Sequence, residues 1–162
     1  MIRILWTKNH MPFSRLICWL SGKPVSHAAV CFSDRIVFHS NPMGVHINSY
    51  FWFKNNNTIV YERLIEGITE AEEELAYEAM TAIEMKGYDF GSVLFWGWRL
   101  LLLKFFRVPL PRKNLWSSKR FFNCLEALGQ LPDWVWPSGI RPDASLDCMT
   151  PYEVAIYMGA VK

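Results

Sequence analysis

Short apolar runs closed by turn residues fill much of the chain between Met1 and Tyr61, and runs of that length read as β-strands. Met1-Ile2-Arg3-Ile4-Leu5-Trp6 opens the series. Ala28–Phe32 and Ile36–Phe38 flank Ser33-Asp34-Arg35, which predicts a tight hairpin. Val45-His46-Ile47 and Thr58–Tyr61 follow as further strands, and Asn41–Gly44 and Lys54–Asn57 have the composition of turns. One short helix interrupts the strands at Ser14–Leu20. Leu16, Ile17 and Leu20 share a face there, and Gly22 and Pro24 end it.

Helices dominate afterwards. Thr69-Glu70-Ala71-Glu72 is a capping box, in which a threonine oxygen and a glutamate three residues on satisfy each other's backbone N–H groups. Ala71, Leu75, Ala79, Ala82 and Ile83 then recur at helical spacing until Gly87. A closing helix is predicted from Thr150 as cap, Pro151 at the first helical position, Glu153 in the box and Gly159 at the end. Strands early and helices late predict an α+β fold, an antiparallel sheet packed against helices, rather than alternating βαβ units. The 162 residues suit a single domain over 1–162, and 51 % hydrophobic against 20 % charged residues excludes intrinsic disorder. A net charge of +2 gives no electrostatic case for nucleic acid as a partner.

The longest apolar stretch is Phe90–Phe106, interrupted by Arg99 and Lys104. A spanning helix needs about 18–20 largely uncharged residues. The stretch therefore reads as a core helix, or as a helix lying in a bilayer interface with Trp96 and Trp98 at headgroup level and the cations snorkelling. The N-terminal residues lack the charge pattern and cleavage site of a secretory signal. Cys18, Cys31, Cys124 and Cys148 form no C-x-x-C pair, so all four are expected as reduced thiols in a cytoplasmic protein.

Phe122-Asn123-Cys124-Leu125-Glu126 carries the most chemistry. Asn123 has the form of an N-cap, with Glu126 three positions on, and this puts Cys124 at the first helical position. The helix dipole and free N–H groups there favour the thiolate, which is the nucleophilic form, and Lys119 and Arg120 add positive charge upstream. A buried structural cysteine is the plain alternative. A thiol needs a base. His27 opens the run Ala28–Phe32 and His39 closes the run Ile36–Phe38. If those runs pair as a hairpin, both imidazoles lie at one end of it, one to take the thiol proton and one to orient it. His27, Cys31, His39 and Cys124 are zinc-ligand types, but His27 and Cys31 stand about 13 Å apart on one strand at about 3.3 Å per residue. No metal and no organic cofactor is expected.

Several of these segments together show a resemblance. Pro24-Val25-Ser26-His27-Ala28-Ala29-Val30 resembles the S-H-x-x-[IV] histidine strand of the NlpC-type papain-like superfamily. Ile36–Ser40 and Gly44–Ile47 resemble the hairpin that carries its third polar residue. Tyr88-Asp89-Phe90 and Phe122–Glu126 resemble signatures of its circularly permuted, YiiX/YaeF-like branch, in which histidine precedes cysteine. That branch also contains the lecithin:retinol acyltransferase-like proteins. The resemblance implies a papain-like domain, with Cys124 as nucleophile, His27 as base, His39 as orienting residue and Tyr88 at the oxyanion site. It departs at Leu125, where the permuted pattern usually has serine. The implied activity is thiol hydrolysis of an amide in a peptide. The alternatives are acyl transfer or thioester hydrolysis on lipids, with peripheral membrane contact through Phe90–Phe106, and a non-enzymatic binding or assembly module that keeps the fold. A cell-wall substrate would require delivery by a route such as a phage particle.

Overall fold

The computed structural model describes residues 1–88 and 90–107, together with residues 155, 156, 159 and 160. In chain order the elements are β1 (Ile2–Lys8), α1 (Pro12–Ser21), β2 (His27–Cys31), β3 (Ile36–Asn41), β4 (Gly44–Ser49), α2 (Tyr50–Asn56), β5 (Thr58–Ile65), α3 (Glu70–Thr81) and α4 (Phe90–Phe106). The strands form one antiparallel sheet in the order β4-β3-β2-β1-β5, so the described fold is α+β.

Side chains alternate across a strand, and here the alternation divides two different layers. Ile2, Ile4 and Trp6 of β1, Ala28 and Val30 of β2, Phe38 of β3 and Val45 of β4 pack on one face with Ala76 and Met80 of α3. Phe32, Phe38 and Tyr77 meet edge-to-face there, with centroids 5.3–5.5 Å apart. The opposite face holds a smaller apolar group, Leu5, Ala29, Cys31 and Val37 under Phe53 of α2. Both faces of β1 are covered, which is why Leu5 and Trp6 are equally buried.

Several elements differ from the sequence reading, each for a local reason. Helix α1 begins at Pro12 rather than Ser14, because a proline at the first helical position gives up no hydrogen bond. It ends at Gly22 in the left-handed conformation, as expected. Strand β3 runs on through His39 and Ser40, and β5 runs to Ile65, so both polar stretches are paired. Lys54–Asn57 is not a strand-joining turn. Ser49 caps α2 by accepting from the Trp52 N–H, and Asn56 and Asn57 turn back to donate to the Trp52 and Phe53 carbonyls. The asparagines therefore close a helix. The Thr69–Glu72 capping box of α3 is present, but α3 stops at Thr81, well before Gly87. Beyond it Met85 donates to the Val45 carbonyl and Val45 donates to the Lys86 carbonyl, so this segment is bonded to β4. These bonds occupy backbone groups on an edge strand that would otherwise be open to another chain.

Phe90–Phe106 is one helix of 17 residues, and it is not an enclosed core helix. Phe95 is buried, whereas Phe90, Leu94, Trp98, Leu103, Phe105 and Phe106 are exposed. It packs on α1, where the Trp19 and Phe105 rings lie 6.0 Å apart and Lys104 Nζ donates to the Trp19 carbonyl at 2.6 Å. Among the described residues no helix is long and apolar enough to cross a membrane. Thr150, Pro151 and Glu153 of the expected closing helix lie outside the described residues. Ala155 is fully buried in the α3-side core, and Gly159 has a φ of 69°.

Gly44, which opens β4, has a φ of 121°, and a Cβ there would stand 2.6 Å from the Lys86 carbonyl oxygen. Gly44→Ala should therefore destabilise the protein by at least about 1–3 kcal/mol, through backbone strain and the contact with the Lys86 carbonyl, measured by urea unfolding. A variant as stable as the parent would contradict the close approach of β4 and the Lys86 segment.

Candidate active site

His27 is the first residue of β2 and His39 lies within β3. The register sets Thr7 opposite His27, Ala29 opposite His39, and His39 opposite His46 of β4. His27 and Ala29 are two apart, so Thr7, His27, His39 and His46 all fall on the face away from α3. The His27 and His39 rings meet edge-on with centroids 5.5 Å apart, and His46 lies 6.4 Å beyond His39. The strand pairing thus brings His27 and His39 together as diagonal neighbours.

An aromatic wall closes over them. Phe53 of α2 lies 5.1 Å from the His39 ring and 6.3 Å from the His27 ring, and Trp52 lies 6.4 Å from His39. His39 is almost fully buried. His27 keeps some exposure, but its Nε2 is sealed from solvent and has no hydrogen-bond partner; the same holds for His46 Nε2, and Thr7 Oγ1 beside His27 is also buried and unpartnered. Burial disfavours the charged ring. With the neighbouring His39 as a second cause, it pushes His27 from 6.5 down to about 3. Burial likewise lowers His39, against an upward pull from Asn48 and with a further downward push from His46.

Asn48 was not singled out by the sequence. Its Oδ1 lies 2.8 Å from His39 Nε2. An amide oxygen only accepts, so His39 Nε2 carries the proton and, in the neutral ring, Nδ1 is left as an acceptor. The signal is present in the alternation of β4: His46 and Asn48 share a face, two residues apart. Ser14 near the start of α1 bonds Ser26 Oγ at 2.6 Å, which ties that helix to the entrance of the His27 strand.

Cys124 lies outside the described residues, as do Asn123, Glu126, Lys119, Arg120 and Asp89 of the Tyr88-Asp89-Phe90 motif. Tyr88 is half-buried and meets Phe90 edge-on at 5.0 Å, whereas the described ring neighbours of the histidine pair are Phe53, Trp52 and His46. Cys31 is a free thiol at the far end of β2, in contact with Arg3 Nη2 at 3.4 Å, and burial raises its pKa. Among the described residues no group of three or more His, Cys, Asp and Glu is arranged to hold a metal ion. Comparison with protein-family models, with curated proteins and with solved structures finds no match to this chain.

Neutral His27 makes stability depend on acid. The folded pKa lies below the unfolded one, so this contribution is present above about pH 6.5 and is lost as the pH falls through that value toward 3. In Cys124→Ala, where no thiolate can pair with the ring, lowering the pH from 7 to 5 should remove about 2 kcal/mol of stability through His27. Adding His27→Gln to that variant should make the loss correspondingly smaller in thermal melts, and equal losses with and without it would contradict a neutral buried ring. Asn48→Asp places a carboxylate on His39 Nε2 and should raise the His39 pKa, read by NMR titration. An unchanged titration would remove Asn48 from the cluster.

Proposed function

We propose that the chain is a thiol hydrolase of the circularly permuted, papain-like type, cleaving an amide bond with Cys124, His27 and His39. The observation that supports this reading best is the edge-on His27–His39 pair, with a sealed and unpartnered His27 Nε2. A ring of such low basicity holds a proton only beside an anion. A thiolate at Cys124 is that anion, and the start of a helix is a setting that stabilises it.

His27 takes the proton from the Cys124 sulfur. The thiolate attacks the carbonyl carbon, and the tetrahedral oxyanion receives hydrogen bonds from the Cys124 backbone N–H and the Tyr88 hydroxyl. Collapse breaks the C–N bond, His27 protonates the leaving amine, and a thioester remains. Water, deprotonated by His27, then releases the acid and restores the thiol. His39, its tautomer fixed by Asn48, keeps the His27 ring oriented through these steps. The same steps apply to an ester carbonyl on an acyl lipid, and the exposed apolar side chains of α4 favour that second substrate class.

An iodoacetamide-type probe should label the wild-type protein at Cys124 near pH 6–7, where an ordinary thiol near 8.5 is almost wholly protonated. Cys124→Ala should abolish that labelling, and His27→Ala should slow it by about 10²-fold or more. Labelling retained in Cys124→Ala would reject Cys124 as the reactive thiol.

A further inference from the structure

The charges of this chain are sorted far more strongly than its net value shows. Residues 1–33 contain Arg3, Lys8, Arg15 and Lys23 and no acid. Residues 90–125 contain Arg99, Lys104, Arg107, Arg112, Lys113, Lys119 and Arg120 and no acid. Together they hold 11 of the 17 basic residues and none of the 15 acidic ones. The acids gather elsewhere, with Glu70, Glu72, Glu73, Glu74 and Glu78 on α3 alone.

The described parts of these acid-free stretches include the two helices that pack on one another, α1 and α4. Their outward residues are apolar. Phe90, Leu94, Trp98 and Phe105 follow one stripe of α4, with Leu94 63 % and Trp98 51 % exposed. Leu16 and Trp19 make a shorter stripe on α1, with Trp19 55 % exposed. Lys104 lies over the Trp19 ring with Nζ 4.1 Å from its centroid, and Arg15 and Arg107 are exposed on the same two helices or just past their ends. Exposed leucine and phenylalanine gain nothing from a phosphate backbone, but they gain burial in acyl chains. Exposed tryptophan suits the headgroup layer, and arginine and lysine beside it can reach anionic phosphates while their stems stay apolar.

We propose that the paired α1–α4 surface docks on an anionic lipid bilayer, lying in its interface without crossing it. Apolar side chains enter the acyl boundary, and the cations beside them hold the headgroups. Docking on a bilayer requires no turnover and does not depend on the proposed catalysis. The link Ser14–Ser26 sets the membrane-facing helix α1 beside the His27 strand, so the bound surface would lie at the edge of the candidate active site.

Flotation of the full chain with vesicles tests this. Vesicles of phosphatidylcholine containing about one-third phosphatidylglycerol should carry the protein at low salt. Pure phosphatidylcholine should carry little, and about 0.5 M salt should release most of it. Arg15→Gln and Arg107→Gln should each weaken binding about fivefold. The exposed double variant Leu94→Gln/Phe106→Gln should weaken it about tenfold or more with an unchanged thermal melt. No flotation with anionic vesicles at low salt would overturn the proposal, as would equal flotation with neutral ones. A dimer that Leu94→Gln/Phe106→Gln dissociates, without vesicle binding by the parent, would assign the face to a second copy instead. Loss of labelling in Cys124→Ala with flotation intact would leave each conclusion standing on its own result.

Discussion

The register of β2 between β1 and β3 decides what surrounds the imidazoles. Thr7 stands opposite His27, and Ala29 stands opposite His39. Period-two alternation then forces both histidines away from α3 and under Phe53 and Trp52. A slip of one residue in β2 would exchange His27 for Ser26 on that face and send Ala29 and Cys31 out of their apolar group. The α3-side core makes such a slip costly, since Ala28 and Val30 would leave their places against Trp6 and Phe38. The packing on one face thus fixes the chemistry on the other.

That chemistry is expensive to maintain. A buried polar atom without a partner costs about 1–3 kcal/mol, and the histidine face holds unpartnered atoms on His27, His46 and Thr7. A sheet optimised for stability alone would place valine at these positions. The proposed thiol chemistry gives the cost a purpose, because a neutral, desolvated base is ready to take a proton and becomes a cation only when an anion forms next to it. Asn48 and the ring wall of α2 complete the arrangement, the first by fixing a tautomer and the second by excluding water.

The strand half of the chain is largely legible in the sequence, because alternation and turn residues are local signals. β1, β2, β3 and the capping box of α3 lie near their expected positions for that reason. What the sequence conceals depends on partners distant along the chain. A run of asparagines is ambiguous, since it can either reverse a strand or close a helix. Asn56 and Asn57 do the latter because Ser49 has already started α2. The end of α3 is hidden because Val45 takes up the backbone at Met85 and Lys86. Apolar content makes α4 look like core, but a helix on an outer layer is distinguished only by what lies over it. The meeting of His27 and His39 follows from an assumed hairpin, whereas Asn48 needs the β3–β4 register and could not be reached from composition.

Transfer of the Cys124 proton to His27, as proposed, is read by difference absorbance near 240 nm, where thiolates absorb. Wild-type protein minus Cys124→Ala should show a thiolate already present below about pH 7, and His27→Ala should lose that early signal and gain one only near the ordinary thiol value of about 8.5. A thiolate that appears near 8.5 with the same midpoint in both the wild type and His27→Ala would show that His27 does not take the proton.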